Sequence, residues 1–252
     1  MKNLIKLIAR RTLPAAYSWI ATQRQDDRYP PSVGKVKFGS LGRVEPISQE
    51  FGFDRGDPVD RYYIENFLAD YAEDIHGRVL EIKDNSYTQK FGGDRVVKSD
   101  VLDVIEGNLE ATIIADLTCA DQIPSDSFDC FVLTQTLQMI YDTRAALKTI
   151  HRILKPGGVV LATFPGISQI NNDDDEYNGS WYWSFTSLSA QRLFEEVFPK
   201  SNVKVESYGN VLAAISFLQG LAVEELRKEE LDHRDRHYEV IITVRAVKLE
   251  VT

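Results

Sequence analysis

The chain has 252 residues, 43% of them hydrophobic and 27% charged, which are ordinary globular values and suffice for one α/β domain with a sizeable core plus an arm. A formal net charge of −9 argues against a nucleic-acid footprint. Cys119 and Cys130 are the whole cysteine complement and form no CxxC, which excludes a zinc ribbon or disulfide scaffold and points to a reducing, cytoplasmic compartment; no apolar run approaches the roughly 20 residues that span a bilayer.

Met1 to Ile20 carries Lys2, Lys6, Arg10 and Arg11 with no acid, interleaved with Leu4, Ile5, Leu7, Ile8 and Leu13. Lys6 interrupts the continuous apolar stretch that a secretory signal needs. Two readings stay open: a basic amphipathic helix lying peripherally on the inner membrane face, or a helix packed on its own domain or a partner subunit. Residues 21 to 50 are polar and broken by Pro30, Pro31, Gly34, Gly39 and Gly42; Lys35 to Phe38 is a candidate short strand within this arm. The expected division is therefore an arm over 1–50 and a domain over 51–252.

Asp57-Pro58 opens a helix predicted over Val59 to Asp74, with Tyr62, Ile64, Phe67, Leu68 and Tyr71 on or near one stripe. From Gly77 the pattern alternates. Strands are predicted at Val79–Ile82, Arg95–Ser99, Thr112–Ala115, Cys130–Thr134 and Val159–Thr163, with a helix over Arg144 to Leu154 before Lys155-Pro156-Gly157-Gly158. Such alternation implies a doubly wound, mainly parallel sheet. Only a dozen residues, Lys83 to Asp94, make the first crossover, so a short helix is expected there. The last third reads as a helix at Ser189 to Phe198, a strand at Val203–Tyr208, a long helix from Val211 to Lys228, and a final strand from Tyr238 to Val247.

Arg78 to Thr88 reads as a buried strand, Val79-Leu80-Glu81-Ile82, that ends on a carboxylate and breaks into a polar turn, with Asp100 about twenty residues on. This layout suits a nucleotide-type cofactor. It resembles the first motif of the class I S-adenosylmethionine (SAM) methyltransferases. Asp116-Leu117 through Asp121-Gln122-Ile123-Pro124, Ser127-Phe128-Asp129 and Ile153-Leu154-Lys155-Pro156-Gly157-Gly158 extend the resemblance in order, over most of residues 50 to 247. It is greatest to methyltransferases found beside glycan-assembly genes, whose turn keeps one glycine in Gly-Asp-Asn-x-Tyr-Thr. Lys83 stands in place of that glycine, and Asn85 and Tyr87 occupy other family glycine positions.

The resemblance implies a Rossmann-like sheet of seven strands with an antiparallel last strand, and SAM as cofactor. It implies cofactor contacts at Glu81, Lys83, Asn85, Asp100, Asp116 and Asp121, the first with the amino group, Asp100 with the ribose and Asp121 with the adenine. Strand-end acids are also common as helix caps and turn formers. Arg61 and Tyr62 lie in the region that lids the cofactor in the resembling family, and Gln135 follows the fourth strand at the carboxyl edge, where open α/β sheets bind ligands.

For the acceptor, Gln138, Tyr141, Asp173, Trp181 and Trp183 are the candidates, because aromatics stack on sugar rings while amides and carboxylates bind hydroxyls. Trp183 and Phe185 fit equally as core residues. The resemblance thus implies O-methylation of a sugar, sugar nucleotide or glycan, with a non-catalytic methyltransferase-like scaffold as the alternative. The run Asp173 to Glu176 reads as a solvated loop rather than a metal site. No histidine falls on an expected catalytic edge, and Tyr141, Asp142 or an acid within 173–176 is a weaker candidate base.

Overall fold

Seven strands form one sheet: β1 (Gly77–Ile82), β2 (Val96–Asp103), β3 (Ile113–Ile114), β4 (Phe128–Thr134), β5 (Leu154–Pro165), β6 (Val203–Tyr208) and β7 (Ile241–Val247). Their order is β3-β2-β1-β4-β5-β7-β6; the first five named run parallel, and β7 lies antiparallel to both β5 and β6. This is the doubly wound, mainly parallel Rossmann-like sheet with an antiparallel last strand. The computed structural model describes residues 30–171 and 180–250, and the chain divides into two units, Met1–Glu45 and Pro46–Thr252. Within the first unit, the described residues form a single 3₁₀ turn at Gly39–Leu41, and Lys35 to Phe38 is not a strand. The basic segment 1–20 lies outside the described residues.

Period-2 alternation sends successive strand residues to opposite faces of the sheet. On β4, Phe131 and Leu133, and Phe128 beyond a register irregularity between Phe128 and Cys130, join the layer that packs under α2 (Thr143–Ile153) and α3 (Ser187–Glu195), through Leu147, Ile150 and Phe194. Cys130 and Val132 face the other layer, under α1 (Val59–Asp70), α4 (Val211–Leu218) and α5 (Lys228–Asp232), with Ile64, Phe67, Phe217 and Leu231. Both faces are covered, which explains why the central strands read as continuous apolar runs.

Several boundaries move for local reasons. The predicted Val59–Asp74 helix ends at Asp70, followed by a 3₁₀ turn at Ala72–Asp74. Thr186 caps α3 by accepting from the Ser189 N–H at 3.2 Å, so that helix begins two residues early. The long helix predicted from Val211 to Lys228 is broken. Gly220 has φ +66°, and a Cβ there would stand 2.5 Å from the Ser48 carbonyl oxygen, so the backbone leaves the helix where residues 47–48 cross it. The first crossover holds a single π-helical turn, Thr88–Gly92, in place of a regular helix. Most consequential for the site, β2 continues four residues past the predicted Ser99 and ends at Asp103.

Candidate active site

Because β1 lies between β2 and β4, the connections after β1 and β4 leave in opposite directions and open a crevice at the carboxyl ends of the strands. Two adjoining chambers occupy it. One, about 350 Å³, is walled by apolar atoms of Leu102, Ala115, Leu117, Met139 and Ile140, with Asp103, Asp116 and Asp142 at its margins and Tyr141 and Tyr182 at its rim. The other, about 330 Å³, is more polar and includes Arg61, Glu81, Tyr87, Thr134 and Gln135. Ile82, Lys83, Thr136 and Met139 contribute to both, so they mark the junction. Each chamber falls within the size range of small-molecule sites.

Glu81 is almost fully buried. Its Oε2 accepts the Thr88 N–H at 2.7 Å and its Oε1 the Tyr87 N–H at 3.2 Å, so the carboxylate organises the turn amides. Burial pushes its pKa up to about 7, against the opposing pull of those hydrogen bonds. Lys83, the next residue but one, has φ +68°, the left-handed conformation that glycine adopts at little cost. Its N–H donates to the Leu102 carbonyl at 3.0 Å and its carbonyl accepts from Asn108 Nδ2 at 2.6 Å, which pins the strained residue between β1 and β2. Gln135, after β4, is also left-handed at φ +47°, and its Nε2 donates to Thr163 Oγ1 at 3.3 Å. Two strained non-glycine residues thus line one chamber, a pattern associated with functional sites.

Arg61 reaches the same chamber from α1, donating to the Tyr87 hydroxyl at 3.1 Å and covering the Phe53 ring. Burial raises the Tyr87 pKa, although Arg61 opposes it. Asp116 is exposed at the margin of the apolar chamber and accepts the Thr118 N–H at 2.7 Å.

Four expected cofactor contacts sit elsewhere. Asp100 lines neither chamber. It is buried inside β2, where it takes Arg78 Nε at 2.7 Å, Lys98 Nζ at 3.0 Å and Thr112 Oγ1 at 3.1 Å. Burial pushes its pKa up, but the hydrogen bonds and charges of Arg78 and Lys98 outweigh this and hold it below the ordinary carboxylate value. The acid at the end of β2 is Asp103, whose Oδ1 accepts the Val104 N–H at 2.7 Å and whose Oδ2 accepts from Asn108 at 2.8 Å. Asn85 joins the turn to β2 instead of facing either chamber: its Nδ2 donates to Ser99 Oγ at 3.1 Å and its Oδ1 accepts from Gln89 at 2.6 Å. Asp121 is exposed and outside both chambers. Tyr62 points about 100° round α1 from Arg61 and donates to Asp232 at 2.6 Å.

On the acceptor side, Tyr141 and Trp183 stack with centroids 5.8 Å apart at 22°, and Tyr182 meets Tyr141 edge-on at 5.4 Å. The Trp183 indole donates to the Ile140 carbonyl at 3.1 Å, which fixes this platform at the rim of the apolar chamber. Trp183 is therefore not core, whereas Phe185 is. Trp181 is half-buried and packs on Phe51 away from the chambers. Gln138 is buried behind Gln135, with its Nε2 3.4 Å from Gln135 Oε1 and no partner for its own Oε1 among the described residues. Its carbonyl accepts the Tyr182 N–H at 2.8 Å and the Trp183 N–H at 3.2 Å. Asp173 and the rest of the acid run lie outside the described residues. Asp142, a candidate base, caps α2 by accepting the Ala145 N–H at 2.9 Å.

A family model described as a methyltransferase domain matches residues 66–162, which span β1 through most of β5. Two curated relatives, ubiquinone/menaquinone biosynthesis C-methyltransferases UbiE of Pectobacterium atrosepticum and Pectobacterium carotovorum, are each 28% identical over 108 residues. These matches cover 40% of this chain and 39% of each relative, so the chain spans about two fifths of the length of the relatives it matches. Among solved structures, the N-methyltransferase NodS of Bradyrhizobium japonicum WM9, in complex with S-adenosylhomocysteine, aligns with a TM-score of 0.50 at 12% identity over 81% of this chain and 95% of that one. That likeness concerns the fold.

The domain's own residues fit SAM. An apolar chamber bounded by Asp103 and Asp116 suits an adenosine, and a polar chamber with Glu81 and Arg61 offers opposite charges to an amino acid's ammonium and carboxylate. Asp103, Tyr87, Thr136, Met139 and Tyr182 are cleft residues absent from the expected set. For Asp103 a signal existed: Val101-Leu102-Asp103 repeats the pattern of Val79-Leu80-Glu81, two apolar residues closing on an acid.

Proposed function

We propose that this chain is a SAM-dependent methyltransferase that methylates an oxygen of a sugar, sugar nucleotide or glycan in the cytoplasm. The observation that carries the reading is the continuity of the cleft: two chambers meeting at Lys83, Thr136 and Met139 and opening beneath the Tyr141–Trp183 stack. A cofactor in the chambers would present its methyl group toward the opening, and the aromatic rim would hold a sugar ring by its C–H face. Methyl transfer would break the carbon–sulfur bond, leaving its electron pair on a neutral thioether sulfur, as the acceptor oxygen bonds to the methyl carbon and its hydroxyl proton passes to solvent water. Most of the acceleration in such a step can come from in-line positioning.

Two further readings have specific support. The strained Lys83, in place of a glycine, favours a scaffold that no longer turns over. The UbiE relatives, named as C-methyltransferases of quinone biosynthesis, favour a carbon acceptor on an aromatic ring. The basic segment 1–20 would suit peripheral membrane attachment in any of these cases.

Incubation of the full chain with SAM labelled in its methyl group, against panels of sugar nucleotides, glycans and phenols, separates the readings. Label on a sugar oxygen supports the proposal, label on a ring carbon supports the UbiE-like reading, and none from a protein that binds SAM supports the scaffold.

A further inference from the structure

Two stretches of this chain are free of positive charge. Residues 99–143 and 156–191 contain none of its 29 lysines and arginines and none of its 4 histidines. Apart from Ile82 and Lys83, every residue lining the apolar chamber comes from these stretches, and so do Tyr141, Tyr182 and Trp183 of the aromatic rim. The fold thus gathers cation-free sequence around the opening of the cleft.

The carboxylates there keep their charge. Asp103, Asp116 and Asp142 accept from the neutral N–H groups of Val104, Asn108, Thr118 and Ala145, and form no ion pair among the described residues. Glu81 and Asp84 add two acids in the polar chamber, against Arg61 and Lys83. SAM itself brings one net positive charge and its demethylated product, S-adenosylhomocysteine (SAH), brings none, so acids stay in excess with either bound, even where Glu81 is protonated. A phosphate needs the opposite surroundings: an Arg or Lys, a helix N-terminus with open N–H groups, or a bridging metal. Arg144, the first cation beyond Asp142, is held by both oxygens of Glu196 at 2.7 and 2.9 Å. The N-terminus of α2 lies at the rim, but the Asp142 carboxylate already caps it. A cleft walled by one sign of charge focuses its field on whatever enters.

We infer that the acceptor carries no phosphate: charge excludes sugar nucleotides and phosphosugars, and neutral or amine-bearing sugars remain. This rests on the methyltransferase reading and narrows it. Asp116 and Asp142 are specificity-determining residues that act by repulsion across the opening, not as a cation site.

Two measurements test it. The first needs no acceptor: quenching of Trp183 fluorescence by iodide and by caesium, taken as the difference between the full chain and Trp183→Phe. Each ion is scaled to its action on free N-acetyltryptophanamide at matched ionic strength. Caesium is expected to quench several-fold more efficiently than iodide, and Asp142→Asn, whose amide oxygen still caps α2, should narrow the gap about twofold. Equal quenching by the two ions, or a preference for iodide, would overturn the inference. The second is methyl transfer from labelled SAM, with magnesium present, to sugars supplied as amino sugar, methyl glycoside, sugar 1-phosphate and nucleotide diphosphate sugar. The phosphate-bearing forms should show kcat/KM about tenfold lower, a deficit that shrinks in Asp142→Asn and Asp116→Asn. A phosphate-bearing form preferred over its unphosphorylated counterpart would overturn the inference and leave the methyltransferase reading standing. Label on none of them, from folded protein, would overturn both.

Discussion

Asp100 and Asp103 are both acids in β2, yet the structure gives them different work, and Asp100→Asn separates the two. Asp100 is buried, and three donors converge on it: Arg78, Lys98 and the Thr112 hydroxyl. The substitution preserves shape and removes the charge, leaving an amide N–H against at least one of those donors. Loss of a charge-assisted hydrogen bond costs about 1.5–3 kcal/mol, and breaking a fully buried pair costs more. Arg78 is one-third exposed and Lys98 more than half exposed, so water takes up part of the loss; about 2 kcal/mol is the expected cost. For a domain of this size that corresponds to a fall of roughly 4–8 °C in Tm. The sign with pH follows from a folded pKa below the unfolded one: the stabilisation is fully present above the unfolded value and is lost as pH falls through the folded value. Thermal scans of native and variant protein should therefore differ most from neutral pH down to about 5 and converge in strong acid. SAM affinity should change less than about twofold, because Asp100 lines neither chamber. A variant with native Tm and at least tenfold weaker SAM binding would refute this reasoning and return the ribose contact to Asp100.

Burial lifts the Glu81 pKa to about 7, so the native protein binds this proton more tightly than the unfolded chain and loses stability as pH rises from about 4.5 through 7. SAM affinity should increase between pH 6 and 8 as Glu81 ionises, and titrations of Glu81→Gln should show no such rise. Gly220→Ala forces a left-handed residue against the Ser48 carbonyl and should destabilise by about 2 kcal/mol, read as a shift in urea midpoint at unchanged m. Trp183→Ala removes half of the exposed stack on Tyr141 while touching neither chamber, so acceptor KM should rise several-fold with SAM affinity unchanged. Equal loss of both affinities would show that the platform belongs to the cofactor site.

The fold was legible because its central strands, such as Cys130–Thr134 and Val159–Thr163, are apolar runs separated by helical periodicities, and burial on both faces enforces that pattern. Boundaries were less legible where tertiary contacts decide them. The break at Gly220 depends on Ser48, over 170 residues away, and nothing within Val211 to Lys228 announces that crossing. In the site, Glu81 and Lys83 were readable because a strand end fixes where its own turn begins. Asp100 was misplaced because a strand boundary drawn four residues short puts the wrong acid at the edge. Tyr62 and Arg61 show the same limit on a helix: adjacent residues point about 100° apart, so only one of them reaches the cleft. Met139 and Tyr182 come to the cleft from segments over 40 residues apart, and neither carries a motif.

The central claim is that the chambers joined at Lys83, Thr136 and Met139 hold one SAM-type ligand. Equilibrium titration of the purified chain with SAH, monitored by calorimetry, tests it most directly, with Thr136→Trp as the variant that fills the junction. The account predicts one-to-one binding in the micromolar range, abolished in a folded Thr136→Trp protein. No heat from folded native protein at millimolar SAH, or binding undiminished by Thr136→Trp, would contradict it.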